Sequence, residues 1–377
     1  MELKEYELGE LLPYEQPSAY IVESTDYNDS YKTPVLTAGK SFILGYTNET
    51  EGIFDKLPVI IFDDFTTVTQ YVNFKFKVKS SAMKILNINT ELVLPKYIFY
   101  RMQTIQFDYS THKRYWIQQY SKIKVSIPPL SEQERIVTHI EELFSELDKA
   151  VETLQTTKQQ LAVYRQAVLN EAFSNSESWP QYEFGKIMDV VRNGYGNKPA
   201  DSGDYRILTI GSVRSLALDL CNYRLNNQPF DECDLIAEND LLFTRYNGSK
   251  EFVGVCAVVP KLKTEYAYPD KLIKFRPHIQ DADYSKYLAY YSSSGIARKY
   301  LRSKIKTTSG QNGIAGTDIK KMTIHIPSME VIHRIVFEIE SRLSVCESIE
   351  QTVDTALAQA DAMRQSILKQ AFEGGYV

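Results

Sequence analysis

The 377-residue chain has a net charge of −5 and is 43% hydrophobic and 24% charged, a composition typical of globular proteins with ample material for two cores. Its longest apolar stretch, residues 252–259, is far too short to span a bilayer, and its first residues lack the pattern of a secretory signal, so we expect no membrane contact and a cytoplasmic location. The 4 cysteines show no C-x-x-C spacing, and we therefore expect no zinc or other metal site.

Residues 1–126 are predicted to form a first domain of mixed α/β structure. Its strand signals are short runs of β-branched and aromatic residues, and the last run, VNFKFKVK, alternates apolar and polar residues in the manner of a half-buried strand. The predicted elements are strands at Pro34–Leu36, Val59–Phe62 and Val72–Lys79 and a helix at Lys96–Met102.

Residues 38–41, Ala-Gly-Lys-Ser, resemble the end of a phosphate-binding loop of nucleotide-binding proteins. The full pattern requires a glycine five residues before Gly39, and that position is Pro34, so we reject nucleotide binding. A turn in which Lys40 and Ser41 contact a DNA phosphate remains chemically reasonable.

Residues 127–176 are predicted to form one long helix. Pro128 and Pro129 end the preceding element, because proline lacks an N–H and disfavours the α region for the residue before it. Ser131 and Glu134 have the spacing of a capping box. Apolar residues then recur in strict 4-3 alternation, which predicts a coiled-coil seam on a helix of roughly 64 Å, at about 1.5 Å per residue. The seam positions are Ile136, Ile140, Leu143, Leu147, Ala150, Leu154, Thr157, Leu161, Tyr164 and Val168.

Residues 177–325 are predicted to form a second mixed α/β domain, somewhat longer than the first. It opens on Tyr182-Glu183-Phe184-Gly185, which matches Tyr6-Glu7-Leu8-Gly9 at the start of the chain. Its predicted elements are strands at Arg206–Ile210, Asp240–Phe243, Phe252–Val259 and Leu272–Phe275 and a helix at Ser285–Ser292.

Residues 326–377 repeat the long helix. Ile326 aligns with Ile127 and Phe372 with Phe173, both at a shift of 199 residues and with no gap between them. The second copy lacks the capping box. Its seam positions are Ile335, Ile339, Arg342, Cys346, Ile349, Val353, Ala356, Ala360, Met363 and Ile367. The repeat predicts an α+β protein, with two mixed α/β domains separated by two long helices that pair as an antiparallel coiled coil, in a pseudo-two-fold arrangement.

Charge is distributed unevenly along the chain. Residues 131–176 and 328–377 each carry 4 Lys/Arg and 8 Asp/Glu, whereas residues 31–130 carry 13 against 7 and residues 182–325 carry 21 against 16. The helices are therefore acidic and both globular domains basic. This asymmetry indicates a polyanion bound by the domains, although a solvated surface is the plainer alternative.

A strand followed by a polar turn, LLFTRYNGSK, is the first candidate DNA contact. Basic, aromatic and amide side chains that leave the edge of a sheet are well placed to meet phosphates or base edges, while a simple Asn-Gly hairpin turn is the plainer alternative. The candidate residues are Arg245, Tyr246, Asn247, Ser249 and Lys250. The corresponding stretch of the first domain contains Asp63 and Asp64, but it lacks the Glu-x-Lys constellation of a nuclease metal site.

A basic run that leads into a small polar loop, TTSGQNG, is the second candidate. Cations beside such a loop suit backbone clamping next to base reading. The candidate residues are Lys299, Arg302, Lys304, Thr308, Ser309 and Gln311, with Lys113, Arg114 and Tyr115 as the first-domain counterparts. A solvated surface is again the alternative.

The chain carries no complete catalytic motif. There is no glycine-rich methyl-donor loop, no Asn-Pro-Pro-aromatic motif for amino methylation, and no metal spacing among the 5 histidines. We therefore expect no enzymatic activity from this chain alone. A coiled-coil scaffold without a DNA role is disfavoured by the paired basic domains, and a self-sufficient DNA enzyme by the absent motifs.

The stretch IPPLSEQERIVTHIEELFSELD closely resembles the helix signature of the specificity subunits of type I restriction-modification enzymes. The stretches DLLFTRYNGSKEFVG, YPDKLIKFRP and TTSGQNGIAGTDIKKMTIHIP are similar to the second recognition domain of that family, and VLTAGKSFILGYTN and PVIIFDDFTT to a variant of the first. The resemblance covers nearly the whole chain. The first domain departs from it by lacking a basic Asn-Gly-Ser turn, which limits the transfer of contact residues between domains.

The resemblance implies a non-catalytic subunit of a complex that methylates adenine and cleaves DNA. In it, two target recognition domains each bind one half of a bipartite, asymmetric site on double-stranded DNA. The two conserved helices act as a spacer and dock two methyltransferase subunits, which hold S-adenosylmethionine. Restriction subunits that use ATP and magnesium complete such complexes, and this chain itself is expected to bind no cofactor. The alternative is a specificity subunit of a methylation-only or type II-like complex without a cleavage partner.

Overall fold

The computed structural model describes residues 3–37, 41–105, 115–196, 202–308 and 310–373. The chain divides into two compact units, of which the first comprises residues 1–154 and 355–377 and the second residues 155–354. Each long helix thus contributes one part to each unit, whereas the sequence-based division treated each helix as a segment of its own.

The described residues of the first unit form nine strands, three shorter α-helices and parts of both long helices. The strands are β1 (Lys4–Glu7), β2 (Tyr14–Glu15), β3 (Thr33–Leu36), β4 (Ile43–Thr47), β5 (Val59–Asp63), β6 (Thr69–Val72), β7 (Lys77–Val78), β8 (Met83–Asn87) and β9 (Lys124–Ile127). The helices are α1 (Leu8–Leu11), α2 (Pro95–Gln103), α3 (Tyr115–Gln118) and α4 (Leu130–Ala172).

Two sheets and a short strand pair organise the first unit. A four-stranded antiparallel sheet has the order β2-β8-β5-β6, a three-stranded sheet has the order β4-β3-β7, and β1 pairs with β9. Every residue of β5 is buried, as its central place requires. Phe62 on β5 packs edge-on against Trp116 of α3 with ring centroids 5.0 Å apart, so part of the core lies between the larger sheet and α3.

The predicted strand Val72–Lys79 is wrong. The chain leaves the larger sheet after Val72 and joins the smaller one at Lys77, so the segment serves two sheets. The alternation fails because Phe76, Lys77 and Val78 are all buried. The Lys77 ammonium is neutralised there by Glu49 at 2.7 Å.

In the part of the second unit that the structure describes there are thirteen strands, three shorter α-helices and the remaining parts of the long helices. The strands are β10 (Gln181–Glu183), β11 (Met188–Asn193), β12 (Tyr205–Leu208), β13 (Val213–Arg214), β14 (Ala217–Leu218), β15 (Tyr223–Asn226), β16 (Leu241–Thr244), β17 (Tyr246–Asn247), β18 (Cys256–Val258), β19 (Leu272–Pro277), β20 (Lys306–Thr308), β21 (Gln311–Gly313) and β22 (Thr323–His325). The helices are α5 (Ala282–Ser293), α6 (Gly295–Ser303), α7 (Gly316–Lys320) and α8 (Met329–Glu373).

The second unit repeats the four-stranded sheet of the first. Its four-stranded antiparallel sheet has the order β11-β19-β16-β18, with β16 in the place of β5. The strand pairs β1–β9 and β10–β22 also share one register. Tyr6 lies opposite Val125, two residues before Ile127, and Tyr182 lies opposite Ile324, two residues before Ile326. The predicted α+β repeat is therefore confirmed.

The two long helices run antiparallel within each unit. In the second unit Arg165 pairs with Glu350 at 2.7 Å and Glu171 with Arg342 at 2.9 Å, so residue numbers rise along α4 as they fall along α8. In the first unit Arg364 of α8 pairs with Asp148 of α4. Each domain also packs on one end of both helices, since α4 and α8 contribute buried residues to the core of each unit.

The predicted capping box at Ser131 is wrong, because α4 begins at Leu130 and places Ser131 within its first turn. Gln133 fixes the start of the helix instead. Its fully buried amide accepts a hydrogen bond from the Leu94 N–H at 2.7 Å and donates to the carbonyls of Leu92 and Pro128. Three main-chain groups outside the helix are thereby satisfied, which ties α4 to the segment before α2.

The seam drifts from the predicted positions along α8. Ile349 and Met363 are 41% and 54% exposed, and the next residues, Glu350 and Arg364, face the partner helix. A helix of 3.6 residues per turn rotates away from a strict 3.5-residue repeat, which accounts for the shift. None of the helices in the described residues combines the length and hydrophobicity that a membrane span requires.

Candidate nucleic-acid interface

The two candidate DNA-contact stretches of the second unit form one small sheet. Strand β17, which follows the buried strand β16, pairs with β21, and β21 pairs with β20. Tyr246 lies opposite Gly313, Asn247 opposite Asn312, and Thr308 opposite Gln311. Stretches about sixty residues apart in sequence are therefore held side by side at the end of the central sheet.

Asparagine side chains shape the turn that follows β17. The Asn247 carbonyl oxygen accepts a hydrogen bond from the Ser249 N–H at 3.1 Å, and the Asn312 amide donates to the Gly248 carbonyl at 2.8 Å. The Thr307 hydroxyl donates to the Asn312 oxygen, which orients that amide. Asn312 is 7% exposed, so its side chain supports the turn from inside the domain. Ser249 and Lys250 lie on the surface.

Arg245 is held at the edge of this sheet by its neighbours. Its main-chain N–H donates to the Lys271 carbonyl at 2.7 Å, and its guanidinium lies 4.7 Å from the centroid of the Tyr246 ring. The Lys271 ammonium lies 5.5 Å from the centroid of the same ring, so two cations contact one aromatic ring. The ring itself fits closely over Gly313, where an added Cβ would lie 2.5 Å from Cδ1 of Tyr246.

The basic residues of α6 divide into one internal and several surface positions. Arg298 is 9% exposed and donates to the carbonyls of Val253 at 3.1 Å, Gly254 at 2.7 Å and Glu251 at 3.2 Å. Burial lowers the pKa of its guanidinium to about 10. Arg298 therefore clamps the segment that follows the Asn-Gly-Ser turn.

Lys299, Arg302 and Lys304 remain exposed. Lys299 and Arg302 line a cleft of about 530 Å³ together with Glu251, which places them beside the clamped segment. Lys304 lies 5.4 Å from the ring of Tyr300. The surface cations of α6 thus lie next to the segment that continues from β17, and Thr308 and Gln311 are exposed at the end of the β20–β21 hairpin.

The first unit builds a different surface from equivalent backbone. The Tyr115 N–H donates to the Asp64 carbonyl at 3.1 Å, as the Ile314 N–H donates to the Arg245 carbonyl at 3.0 Å, so Asp64 occupies the place of Arg245. The Asp64 carboxylate is buried and accepts a hydrogen bond from the Trp116 N–H at 2.8 Å.

Tyr115 departs from its predicted exposure, because its side chain is 2% exposed and belongs to the packed interior. Ser41 lies on the surface. Lys40, Lys113, Arg114 and Ser309 lie outside the described residues.

A family model for the type I restriction modification DNA specificity domain matches residues 1–162 and 177–357, one match for each half of the repeat. The chain belongs to this specificity-domain family. The predicted resemblance is therefore confirmed, and so is the two-domain organisation that it implied.

Relatives in the specificity-domain family include two subunits from Escherichia coli. The chain is 37% identical over 268 residues to the type I restriction enzyme EcoKI specificity subunit of strain K12, which covers 67% of this chain and 57% of that protein. It is 45% identical over 175 residues to the EcoR124I/EcoR124II specificity subunit, which covers 43% of each. The chain spans just over half the length of the EcoKI subunit and less than half of the other.

The fold also matches a solved chain from a type I R-M system. The TM-score is 0.67 at 17% identity, over 99% of this chain and 98% of that one. At this identity the match supports the fold alone, and it extends over both halves of the specificity-domain repeat.

Sequence reasoning missed three residues that shape this part of the specificity domain. The sequence pattern places Asn312 only in a polar loop, does not single out Lys271, and does not separate Arg298 from the cations that follow it. A basic run on a short helix gives no sign of which member is buried. The glycine in QNG next to an aromatic strand is the one local signal that a ring lies across that strand.

One group of potential metal ligands occurs among the described residues, formed by Asp231, Cys233 and Asp234. Arg192 lies 3.6 Å from the Asp234 carboxylate, which gives that carboxylate a cationic partner. The Lys274 ammonium donates to the main-chain carbonyl of Cys233 at 3.0 Å and not to its thiol.

Proposed function

We propose that this chain is the DNA-specificity subunit of a type I restriction-modification complex, in which each unit reads one half of a bipartite, asymmetric site on double-stranded DNA. The proposal rests on one observation: the same fold occurs twice in the chain, with different side chains at an equivalent turn. The second unit presents Arg245 there, and the first unit buries Asp64 at the same backbone position. Two copies with different surfaces suit two different half-sites.

The second unit carries the chemistry of base reading and phosphate binding side by side. Arginine binds guanine O6 and N7 bidentately, and asparagine and glutamine bind adenine N6 and N7, which are the roles we assign to Arg245, Asn247 and Gln311. Lys299 and Arg302 are exposed cations without a reading loop of their own, so they contact phosphates. The net positive charge of residues 182–325 supports this assignment.

The helices serve as the spacer between the two reading units. Ion pairs such as Arg165–Glu350 hold α4 and α8 in one antiparallel register, which makes their length a fixed property of the molecule. Their acidic surface disfavours DNA and suits protein partners. We assign to it the docking of two methyltransferase subunits, which hold S-adenosylmethionine, with ATP- and magnesium-dependent restriction subunits joining the complex.

This chain supplies recognition, and its partners supply the chemistry. The carboxylates of a supposed nuclease site, Asp63 and Asp64, are buried, and Asp64 pairs with Lys84 at 3.6 Å. A buried, paired carboxylate is a structural group. Adenine methylation and DNA cleavage therefore belong to the subunits that this chain directs to the site.

Mapping methylated adenines in the source genome tests the proposal directly. We expect one bipartite motif that disappears when this gene is deleted and returns when it is restored. Binding of the reconstituted complex to that motif should fall steeply with added salt, and a scrambled motif should bind far more weakly. A methylation pattern unaffected by the deletion contradicts the proposal.

Exchange of one unit tests the division of labour. Replacing residues 1–126 with the first domain of another family member should change one half of the methylated motif and leave the other half and the spacer intact. The reciprocal exchange of residues 177–325 is the matched control, and it should change only the other half. Changes in both halves after either exchange would contradict modular reading.

A further inference from the structure

The turn between β5 and β6 exposes two large apolar side chains. Phe65 is 50% exposed and Val68 is 52% exposed, although both follow a strand that is buried at every position. Strands β5 and β6 pair antiparallel up to Phe62 and Thr69, so the turn projects directly from the end of the sheet. An apolar tip on a basic domain requires an explanation.

The main chain of the turn is fixed by Asp63. Its carboxylate accepts hydrogen bonds from the N–H groups of Phe65 at 2.9 Å and Thr66 at 3.4 Å. Its own N–H donates to the Val68 carbonyl at 2.9 Å, and its carbonyl accepts from the Thr67 N–H at 2.9 Å. The exposure of Phe65 is therefore held by a closed set of bonds around a residue that is itself buried.

The turn also presents no charged side chain on its surface. The Asp64 carboxylate points into the domain, where it lies 3.6 Å from the Lys84 ammonium, and the side chains of both residues are at most 3% exposed. Two adjacent aspartates on a DNA-facing tip would repel phosphates. Because both are turned inward, the surface of the tip consists of Phe65, Thr66 and Val68.

We propose that Phe65 reads thymine in the first half-site by contact with its 5-methyl group in the major groove. The proposal rests on the proposed function, because Asp64 holds the backbone place of Arg245 and Phe65 therefore follows it at the place of Tyr246, in the reading turn of the second unit. An apolar side chain distinguishes thymine by its methyl group, whereas arginine and amide side chains require hydrogen-bonding base edges. The two units thus use one turn for two kinds of readout.

Deoxyuridine substitution tests this contact, because uracil lacks the methyl group and keeps every hydrogen-bonding group of thymine. Each thymine of the first half-site is replaced singly, and binding of the full complex is measured for the wild type, Phe65→Ala and Phe65→Leu. The wild type should lose about fourfold in affinity at one thymine, the amount expected for one buried methyl group. Phe65→Ala should bind thymine and uracil there equally, and Phe65→Leu should retain a preference for thymine.

Tyr205→Ala is the matched control, because it removes an aromatic side chain that is 40% exposed on β12 of the second unit. It should leave the thymine-to-uracil ratio unchanged, as should Phe65→Ala for thymines of the second half-site. The proposal is overturned by a first half-site without thymine on either strand, or by a wild type indifferent to uracil at every position. It is also overturned if Phe65→Ala lowers affinity with an unchanged ratio, or if that variant prevents assembly with partner proteins. Failure of the wild type to bind any motif specifically would instead contradict the proposed function.

Discussion

The turns that follow β5 and β16 start from the same backbone and end with opposite surfaces. In both turns the first residue after the buried strand accepts a hydrogen bond on its carbonyl, from Tyr115 in one unit and Ile314 in the other. In the first unit the residue at that position, Asp64, is a core anchor, whereas in the second Arg245 is half-buried at the surface. One backbone position can thus carry a buried anchor or a half-buried cation without a change of fold.

The two units also differ in what their buried lysines contact. Lys84 on β8 neutralises the turn carboxylate of Asp64, while Lys274 on β19 donates to the carbonyls of Cys233 at 3.0 Å and Leu235 at 2.6 Å. Burial lowers the pKa of Lys274. In the first unit Lys84 holds the turn after β5. In the second unit Lys274 lies opposite Leu242, one position further along the equivalent strand than Lys84, which lies opposite Phe62, and it holds a loop elsewhere.

Changing the distance between the turns while preserving both is the largest test of the comparison. Deleting residues 150–156 from α4 and 349–355 from α8 removes one heptad from each helix and keeps the seam in register. The spacer of the methylated site should shorten by about three base pairs, since seven residues of helix span about 10 Å. Both half-sites should be unchanged in methylome sequencing. A spacer of the original length would show that the helices do not set it.

Removing the buried cation of the first unit should have a large effect on stability. Lys84→Met leaves Asp64 charged and unpaired in the interior, which should lower the free energy of unfolding of that unit by about 3–5 kcal/mol. The double variant Asp64→Leu, Lys84→Met should recover much of the loss. Urea denaturation measures both. Lys124→Met, which breaks an exposed pair with Glu5, is the control and should change stability little. Equal losses in Lys84→Met and the control would contradict the anchoring role of Asp64.

At the equivalent position of the second unit, substitution should affect recognition. Arg245→Ala should cost about 1–3 kcal/mol on the cognate site and relax one base position, and Gln311→Ala should do the same at another. Arg245→Lys should also lose selectivity, because an ammonium cannot bind guanine bidentately. Competition binding on single-base variants, with methyltransferase subunits present, makes the measurement. Full base preference in Arg245→Ala would make the turn architectural.

A phosphate contact should behave differently from a base contact in the same unit. Lys299→Ala should weaken binding to all sequences alike and flatten the slope of log affinity against log salt by about one unit. Titrations at several salt concentrations on cognate and scrambled DNA measure this. A loss confined to the cognate site would instead assign Lys299 to base reading.

Local sequence patterns sufficed for the repeat, the long helices and most of the seven strands that they predicted. The gap-free shift of 199 residues and the matched openings at Tyr6 and Tyr182 required only comparison of the chain with itself. Both candidate stretches of the second unit were visible as polar residues after a strand and after a basic run. Their union in one sheet was not predicted, because pairing such as Asn247 with Asn312 is decided by long-range register.

The internal roles of charged residues lay beyond the reach of pattern reasoning. Arg298 is bonded to carbonyls 44 and 45 positions away, and Gln133 to main-chain groups 39 and 41 positions away. Neither contact leaves a periodic trace in the sequence. Burial of Asp64 likewise depends on Lys84 and Trp116, which are distant in the chain. From sequence alone a charged side chain is assigned to the surface, and its burial becomes evident only from the packing around it.

The smallest expected effect distinguishes the units by pH. His278 of the second unit hydrogen-bonds Asp189 through Nδ1 and the Lys186 carbonyl through Nε2. In the first unit Asn89 occupies the position of His278, because the N–H groups of the two residues donate to equivalent carbonyls. Pro13 occupies the position of Asp189. The Asp189 carboxylate, with the Lys186 carbonyl, raises the pKa of His278 above 6.5, because only the protonated ring donates to both.

A histidine whose pKa is raised by folding stabilises the folded state fully below its unfolded pKa, and this contribution is lost as the pH rises through the folded pKa. The second unit should therefore lose a small part of its stability above about pH 6.5, a contribution that Asn89 and Pro13 of the first unit cannot make. Because the pair is exposed, the effect should be slight. Titration of the His278 ring resonances by NMR should give a pKa above that of a model peptide, and Asp189→Asn should lower it. A ring that titrates alike in both proteins would show that Asp189 does not hold the proton.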